Sequence, residues 1–403
     1  MIEDPYILFT RIAVVVDEQG DVFTDPLWVK DIELHLGYIA NFGMCCPVER
    51  GRNIDGLQSI GHLDVKWLYA LRKDYGLASV LKNFIPNFIT VINACKKARI
   101  VHSDGAGWAF PLSFYLLPLK PFFRFQWVIV IESSFWMLAQ GQPRSLRAII
   151  EHHMHTLLLK RCLKLANARI FTQSFYMDYF LGHNSGRTPI NPASWLDKKY
   201  IAAPDAVRKR FEAKGDRKLK LLYPSRLVLD KGVLVVLEAI EQLQIENIDI
   251  TVTLMGEGDF KEHCLRFAAE DHGGIEVRFQ NAVDYGKDFF SIIAQHDWLL
   301  VPTLKQEQPR IIFDAFSQGV PVIGSDTSGV LDITSKHNTL TFDTGNPSSL
   351  ADRIRHAARH PELALEMGLA GLDYATGKTH LQMHQVREEF LKSSLTASAS
   401  PRA

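Results

Sequence analysis

Two cations five residues apart, Arg226 and Lys231, stand in Tyr223-Pro-Ser-Arg226-Leu-Val-Leu-Asp-Lys231-Gly232, just behind the apolar run Leu219–Tyr223. A loop at the carboxyl end of a strand can present both charges to one diphosphate through charge-assisted hydrogen bonds. Standing alone, they would read as solvated surface cations. Two further segments join them. Leu254-Met-Gly256-Glu-Gly258 closes another β-rich run, where glycine permits close backbone approach to a ligand, although Gly-x-Gly by itself marks only a turn. From Gln306 to Gly329 the chain reads as a polar loop, a short helix, a Gly turn, a buried Val-Pro-Val-Ile strand and a second Gly-bearing turn. Helix amides at such a place favour anions, and the Asp314 carboxylate can accept two hydrogen bonds from a vicinal diol such as a ribose. The three segments together point to a nucleotide-sugar pocket.

The elements that must position these residues alternate. Strand-length apolar runs at Ile7–Val16, Arg99–His102, Gln126–Ile131 and Ile170–Gln173 are separated by helical patterns near Pro26–Asn41 and over Arg144–Ala166. A second series follows, with strands at Leu219–Tyr223, Ile248–Met255, Val277–Gln280, Trp298–Val301 and Val320–Gly324 between helices near Leu234–Gln242, Lys261–Ala269 and Phe313. Such alternation predicts parallel sheets covered by helices on both faces. The polar, charged stretch 197–220 is the expected boundary. It gives an amino-terminal Rossmann-like domain over residues 1–200 and a carboxyl-terminal nucleotide-sugar domain over 215–374. A terminal helix over 375–392 is expected to pack back toward the first domain, and the Ser/Ala-rich 393–403 to be a disordered tail.

A chain of 403 residues is long enough for two cores. Its formal net charge is zero, which gives no case for a nucleic-acid partner. The charge is uneven, however: residues 96–169 carry 11 basic and 3 acidic side chains, a net of +8. This excess suits either a solvated basic face or an anionic membrane surface, and the aromatic run Phe110–Trp127 adjoins it. The window Trp108–Ile131 contains three prolines, a lysine and an arginine, and makes a poor membrane span. Five cysteines show no metal or redox spacing, and the acidic Met1-Ile2-Glu3-Asp4 start is unlike a signal peptide. A reducing, cytoplasmic location follows, possible association with the inner membrane surface included.

In this order, the motifs resemble those of the retaining glycosyltransferases of family four, which have two Rossmann-like domains. Arg226-Leu…Lys231-Gly232 is similar to the family's Gly-Arg-Leu…Lys-Gly motif, Gly256-Glu-Gly258 to its Gly-x-Gly turn, and Trp298-Leu-Leu-Val-Pro302-Thr303 to its strand leading to Pro-Ser. Phe279-Gln-Asn-Ala282-Val283 stands where the family meets the nucleobase. The resemblance implies an α/β fold of the GT-B type, two facing domains with a cleft between them. It also implies transfer of a sugar from a nucleotide-sugar donor to a hydroxyl of a glycan or lipid-linked acceptor. The alternative is a degenerate, non-catalytic nucleotide-sugar-binding subunit. By register with Pro309-Arg310-Ile311, the family's two glutamates fall on Gln306, with Glu307 beside it, and on Asp314. The second would hold the ribose, and Gln306 or Glu307 the donor sugar.

Arg226 and Lys231 are then the catalytic cations for the departing diphosphate. On the amino-terminal side, Glu132 replaces a frequent family His; it either positions an acceptor hydroxyl or pairs with a neighbouring cation. His102 either meets the acceptor or caps a turn. His152, His153 and His155 lack a partner at metal-site spacing, and no Asp-x-Asp stands near the donor motifs. Neither a metal nor a cofactor is expected. A dinucleotide oxidoreductase is disfavoured because no Gly-x-Gly-x-x-Gly follows the first strand.

Overall fold

The computed structural model describes residues 1–51, 53–105, 110–134, 136–137, 145–182, 186, 188–213, 218–244, 246 and 248–396. The chain forms two compact units, Met1–Pro192 with His384–Ala403, and Ala193–Met383. The division lies upstream of the charged stretch 197–220, because the residues just after Pro192 already pack on the second unit. The Gln308 carboxamide exchanges two hydrogen bonds with the Ala193 backbone (2.8 and 2.9 Å). Arg210 donates to the carbonyls of Gln318 and Gly319.

In the first unit the elements are β1 (Tyr6–Phe9), β2 (Val14–Val16), β3 (Val22–Thr24), α1 (Pro26–Leu36), β4 (Phe42–Arg50), β5 (Gln58–Ser59), β6 (Trp67–Leu71), α2 (Leu77–Lys97) and β7 (Ile100–Asp104). Then come α3 (Leu112–Leu116), β8 (Gln126–Ile131), α4 (Leu146–Leu165), β9 (Ala168–Phe171) and α5 (Ser174–Leu181). The expected strand Ile7–Val16 is two strands. Its first half lies between β4 and β7, and after a break at Thr10–Ala13 its second half pairs with the far end of β4, Val14 opposite Val48. Strands β6-β4-β1-β7-β8-β9 run parallel, in the order of a doubly wound Rossmann sheet. Strand alternation sends Ile7, Phe9, Val101, Trp127 and Ile129 to one face, under α2, α3, α4 and α5. Tyr6, Leu8, Ile100, Val128 and Val130 face the other way, toward α1 and the terminal helix.

The second unit continues with α6 (Pro204–Glu212), β10 (Leu219–Pro224), α7 (Val233–Gln244), β11 (Ile250–Met255), α8 (Lys261–Ala268), β12 (Glu276–Gln280), α9 (Lys287–Ala294) and β13 (Trp298–Val301). It ends with α10 (Ile311–Ser317), β14 (Val322–Ser325), α11 (Ser328–Leu331), β15 (Thr339–Phe342), α12 (Pro347–Arg359) and α13 (Glu362–Thr376). Helix α14 (His380–Thr396) passes back into the first unit, where Leu391 and Leu395 are buried against the sheet. Residues 393–396, expected in a disordered tail, are the end of this helix; 397–403 lie outside the described residues. The second sheet, β12-β11-β10-β13-β14-β15, is parallel throughout and has the same doubly wound order. In each sheet the order reverses at one point: between β1 and β7, and between β10 and β13. Ligands of such sheets bind outside the carboxyl ends of the strands at this reversal.

Candidate active site

The reversal point of the second sheet is where Arg226 and Lys231 stand. Their loop leaves β10 and is fastened on both sides. Toward β11, Ser225 N donates to Met255 O (2.9 Å), Leu227 N to Glu257 O (2.8 Å) and Phe260 N to Leu227 O (3.0 Å). Toward β13, Leu304 N donates to Asp230 O (2.9 Å), and the buried Tyr223 hydroxyl holds the Lys231 carbonyl at 3.0 Å. Three glycines make this zipping possible. A Cβ on Gly256 would sit 1.8 Å from the Ser225 carbonyl oxygen, and one on Gly232, at φ +74°, 1.9 Å from that of Pro302. Gly258 meets the Leu227 backbone in the same way. The Gly-x-Gly turn therefore owes its glycines to the cation loop packed against it, which is a different reason from approach of a ligand.

The two cations differ in their surroundings. Arg226 is exposed and forms no ion pair among the described residues. The Lys231 ammonium is ion-paired with Glu307, with the side chains 19% and 24% exposed. Lys305 pairs with Asp230 at 3.0 Å. Burial pushes the Asp230 carboxyl up, but the Lys305 ammonium, with Lys231 and Arg226 beyond it, holds it below the usual range. Cations outnumber carboxylates at this point of the loop, as an anion site requires.

The loop between β13 and α10 carries the remaining donor candidates. Gln306 is turned toward α11: its carboxamide oxygen accepts from Ser328 N (2.8 Å) and Ser328 Oγ (2.6 Å). Pro309 is buried, Ile311 half-buried, and Arg310 exposed with its guanidinium 5.5 Å from the Trp195 ring. Ala282 lies exposed just after β12. Asp314 is 6% exposed, and its Oδ1 accepts the Tyr285 hydroxyl at 2.7 Å. Burial pushes the Asp314 carboxyl up to about 7, against the opposing pull of Tyr285 and Arg310. A ribose would thus meet a carboxylate already holding one phenol. Nothing in the sequence between Ala282 and Asp314 marks Tyr285 as its partner, because the pair meets only through packing of α9 on α10.

In the first unit the sequence candidates fare differently. His102 does not end its strand: β7 runs on to Asp104, and His102 is buried with Nδ1 2.8 Å from the Tyr6 hydroxyl. Burial also lowers its pKa well below the usual histidine value. Both an acceptor contact and a turn cap are thereby removed as readings. Glu132 is exposed just beyond β8, and its carboxylate forms no ion pair among the described residues. Sequence reasoning passed over Arg11 and Asp104, which stand at this sheet's reversal point. Arg11 pairs with the buried Asp74 at 3.0 Å. Asp104 accepts from Leu112 N at 3.0 Å, and burial, reinforced by Glu132, pushes its carboxyl up to about 6 despite the Arg11 charge.

His152, His153 and His155 do not converge: His152 meets the Tyr179 hydroxyl, His155 the Glu151 carbonyl, and His153 faces outward. Asp31, His35 and His384 do, with potential ligand atoms within 4.8 Å of one another. Each is already engaged. His384 Nε2 lies 2.9 Å from Asp31 Oδ1, His35 Nδ1 lies 2.9 Å from the Asp31 carbonyl, and the Arg387 guanidinium stands 3.2 Å from His35 Nε2. A guanidinium so placed opposes a metal cation. The group reads as a closed polar network fixing α14 to α1.

Residues 218–360 match the family described as glycosyl transferases group 1. A putative teichuronic acid biosynthesis glycosyltransferase, TuaC of Bacillus subtilis, is 26% identical over 202 residues, 47% of this chain and 47% of that protein. The lipopolysaccharide 1,2-N-acetylglucosaminetransferase of Salmonella typhimurium is 25% identical over 252 residues, 57% of this chain and 65% of that protein. The chain thus spans about half to two thirds of the length of these relatives. The crystal structure of Anabaena HepE in complex with UDP has a TM-score of 0.67 at 15% identity, covering 98% of this chain and 100% of that one, a likeness of fold. The match to glycosyl transferases group 1 falls within the carboxyl-terminal unit, and the chain has the fold of two Rossmann-like domains of the GT-B type.

Proposed function

We propose that this protein is a retaining glycosyltransferase that moves a sugar from a nucleotide-sugar donor to a hydroxyl of a glycan or lipid-linked acceptor. The observation that carries the reading is the fixing of the Arg226–Lys231 loop between its two neighbours at the reversal point of the second sheet. As the glycosidic bond breaks, negative charge grows on the departing diphosphate, and preorganised cations stabilise that charge without reorganising. Lys231 and Arg226 take this role, Asp314 holds the ribose beside Tyr285, and Gln306 or Glu307 meets the sugar. Glu132 serves the acceptor hydroxyl. Since these cations neutralise the leaving group, the reaction is metal-independent.

The relatives are a putative teichuronic acid biosynthesis glycosyltransferase and a lipopolysaccharide 1,2-N-acetylglucosaminetransferase, and the HepE structure holds UDP. These features support a uridine nucleotide-sugar as donor and a cell-surface polysaccharide or glycolipid precursor as acceptor. The test is release of nucleoside diphosphate from a nucleotide-sugar panel by the purified chain, with and without a chelator. Release that survives chelation supports the proposal. Binding without release identifies a degenerate, non-catalytic subunit instead.

A further inference from the structure

The aromatic run Phe110–Trp127 is largely interior: Phe114, Tyr115, Phe125 and Trp127 are buried, and Phe122 alone of its large apolar side chains is well exposed, at 81%. The outward apolar surface of the first unit lies instead on the two long helices α2 and α4. They cover the same face of the sheet, each packed against α3. On α2, Leu77, Leu81, Ile85 and Ile89 recur every fourth residue, with Phe84 beside them, and all are exposed; Leu81 and Ile85 each keep 70% of their surface. The opposite side of that helix is fixed inward by Asn87, which exchanges two hydrogen bonds with the Arg72 backbone, and by Asn83, which bonds Asp74. Exposure of the stripe is therefore set by the fold. On α4, Leu146, Ile150, Met154 and Leu157 make a second outward stripe.

Charge accompanies both stripes. Helix α2 contains Lys82, Lys96 and Lys97 and no acidic residue; α4 contains Arg147, Lys160, Arg161 and Lys164 against Glu151 alone. None of these seven cations is ion-paired among the described residues. An apolar stripe flanked by unneutralised lysines and arginines matches a surface with an oily interior and an anionic rim. No helix among the described residues is long and apolar enough to cross a membrane. We propose that the outer faces of α2 and α4 form a docking surface for an anionic lipid bilayer, lying in its interface without spanning it. A second copy of this chain would need complementary acids on the same face, and the two helices offer one.

This surface is independent of the transferase reading, and its test uses no sugar. The full chain is co-sedimented with vesicles of phosphatidylcholine alone and of phosphatidylcholine mixed equally with phosphatidylglycerol. Two variants are compared: Leu81→Asp with Ile85→Asp, and Lys160→Glu with Lys164→Glu. All four side chains are exposed, so melting temperatures should stay near that of the native chain. Expected is binding to the anionic vesicles that weakens with salt and falls about tenfold or more in either variant. Binding indifferent to anionic lipid, or undiminished in both variants, overturns the proposal. So does a dimer that the Leu81→Asp, Ile85→Asp pair dissociates in the absence of any vesicle binding.

Discussion

If Lys231 meets the donor diphosphate, the carboxylate now resting on it is a competitor, and removing that carboxylate should tighten nucleotide binding. Lys231 and Glu307 are about one-fifth exposed. At an effective dielectric of about 20, two charges about 4 Å apart attract by about 4 kcal/mol. Desolvation and side-chain ordering reduce the net worth of such a pair to about 1 kcal/mol. A diphosphate must break the pair to reach the ammonium. Glu307→Gln, which keeps the shape and drops the charge, should therefore return about 1 kcal/mol to binding, or about fivefold in Kd. Lys231→Met should lose a charge-assisted bond of about 1.5–3 kcal/mol, weakening binding about ten- to hundredfold. The double variant isolates the coupling: without the ammonium, Glu307→Gln should have little left to release. Calorimetric titration with nucleoside diphosphate reads all four proteins. Binding that weakens in Glu307→Gln, or a gain of equal size with and without Lys231, refutes the reasoning.

Two further perturbations follow from the same site. Asp314 is pushed up to about 7 from an unfolded value of about 3.9, so the folded chain holds its proton more tightly. Its contribution to stability is full below about pH 4 and is lost as pH rises toward about 7, by roughly 4 kcal/mol in total. Asp314→Asn still accepts the Tyr285 hydroxyl but cannot titrate, so its melting temperature should fall less than the native chain's between about pH 5 and pH 8; identical slopes would remove the buried-carboxyl account. Gly256→Ala places a methyl 1.8 Å from the Ser225 carbonyl and should cost about 3 kcal/mol or more, read as a lower melting temperature. A native melting temperature would mean that the two loops are not zipped as described.

The carboxyl-terminal unit was more legible than the amino-terminal one for physical reasons. Several of its strands, such as Ile250–Met255 and Trp298–Val301, are continuous buried runs followed directly by a Gly or Pro, and the cation loop and the Gly-x-Gly turn stand just past such strand ends. In the first unit, β4 carries Cys45-Cys46-Pro47 and α2 carries Pro86, so the usual helix and strand signals are interrupted where the elements continue. β6 is an apolar run, Trp67-Leu-Tyr-Ala-Leu71, that the sequence reading passed over, and in the structure it alternates half-buried and exposed side chains over its first four residues. Partnerships made by packing were invisible: Asp31 and His384 are 353 residues apart in sequence, and Tyr285 reaches Asp314 only after two helices pack. His102 misled because the strand extends two residues past it. The basic excess over residues 96–169 was plain, but its apolar companions were sought in the wrong segment, since exposure of Leu81 and Ile85 depends on which side of α2 the two buried asparagines fix.

The central claim is that the two cations act on the leaving diphosphate as charge develops. It is tested most directly by turnover at saturating donor in Arg226→Ala and Lys231→Ala. Loss of a preorganised charge stabiliser costs about 10²–10³ in kcat, and a drop of that size in each variant, with the fold intact, is the predicted result. Turnover within a few-fold of the native chain in both would contradict the account.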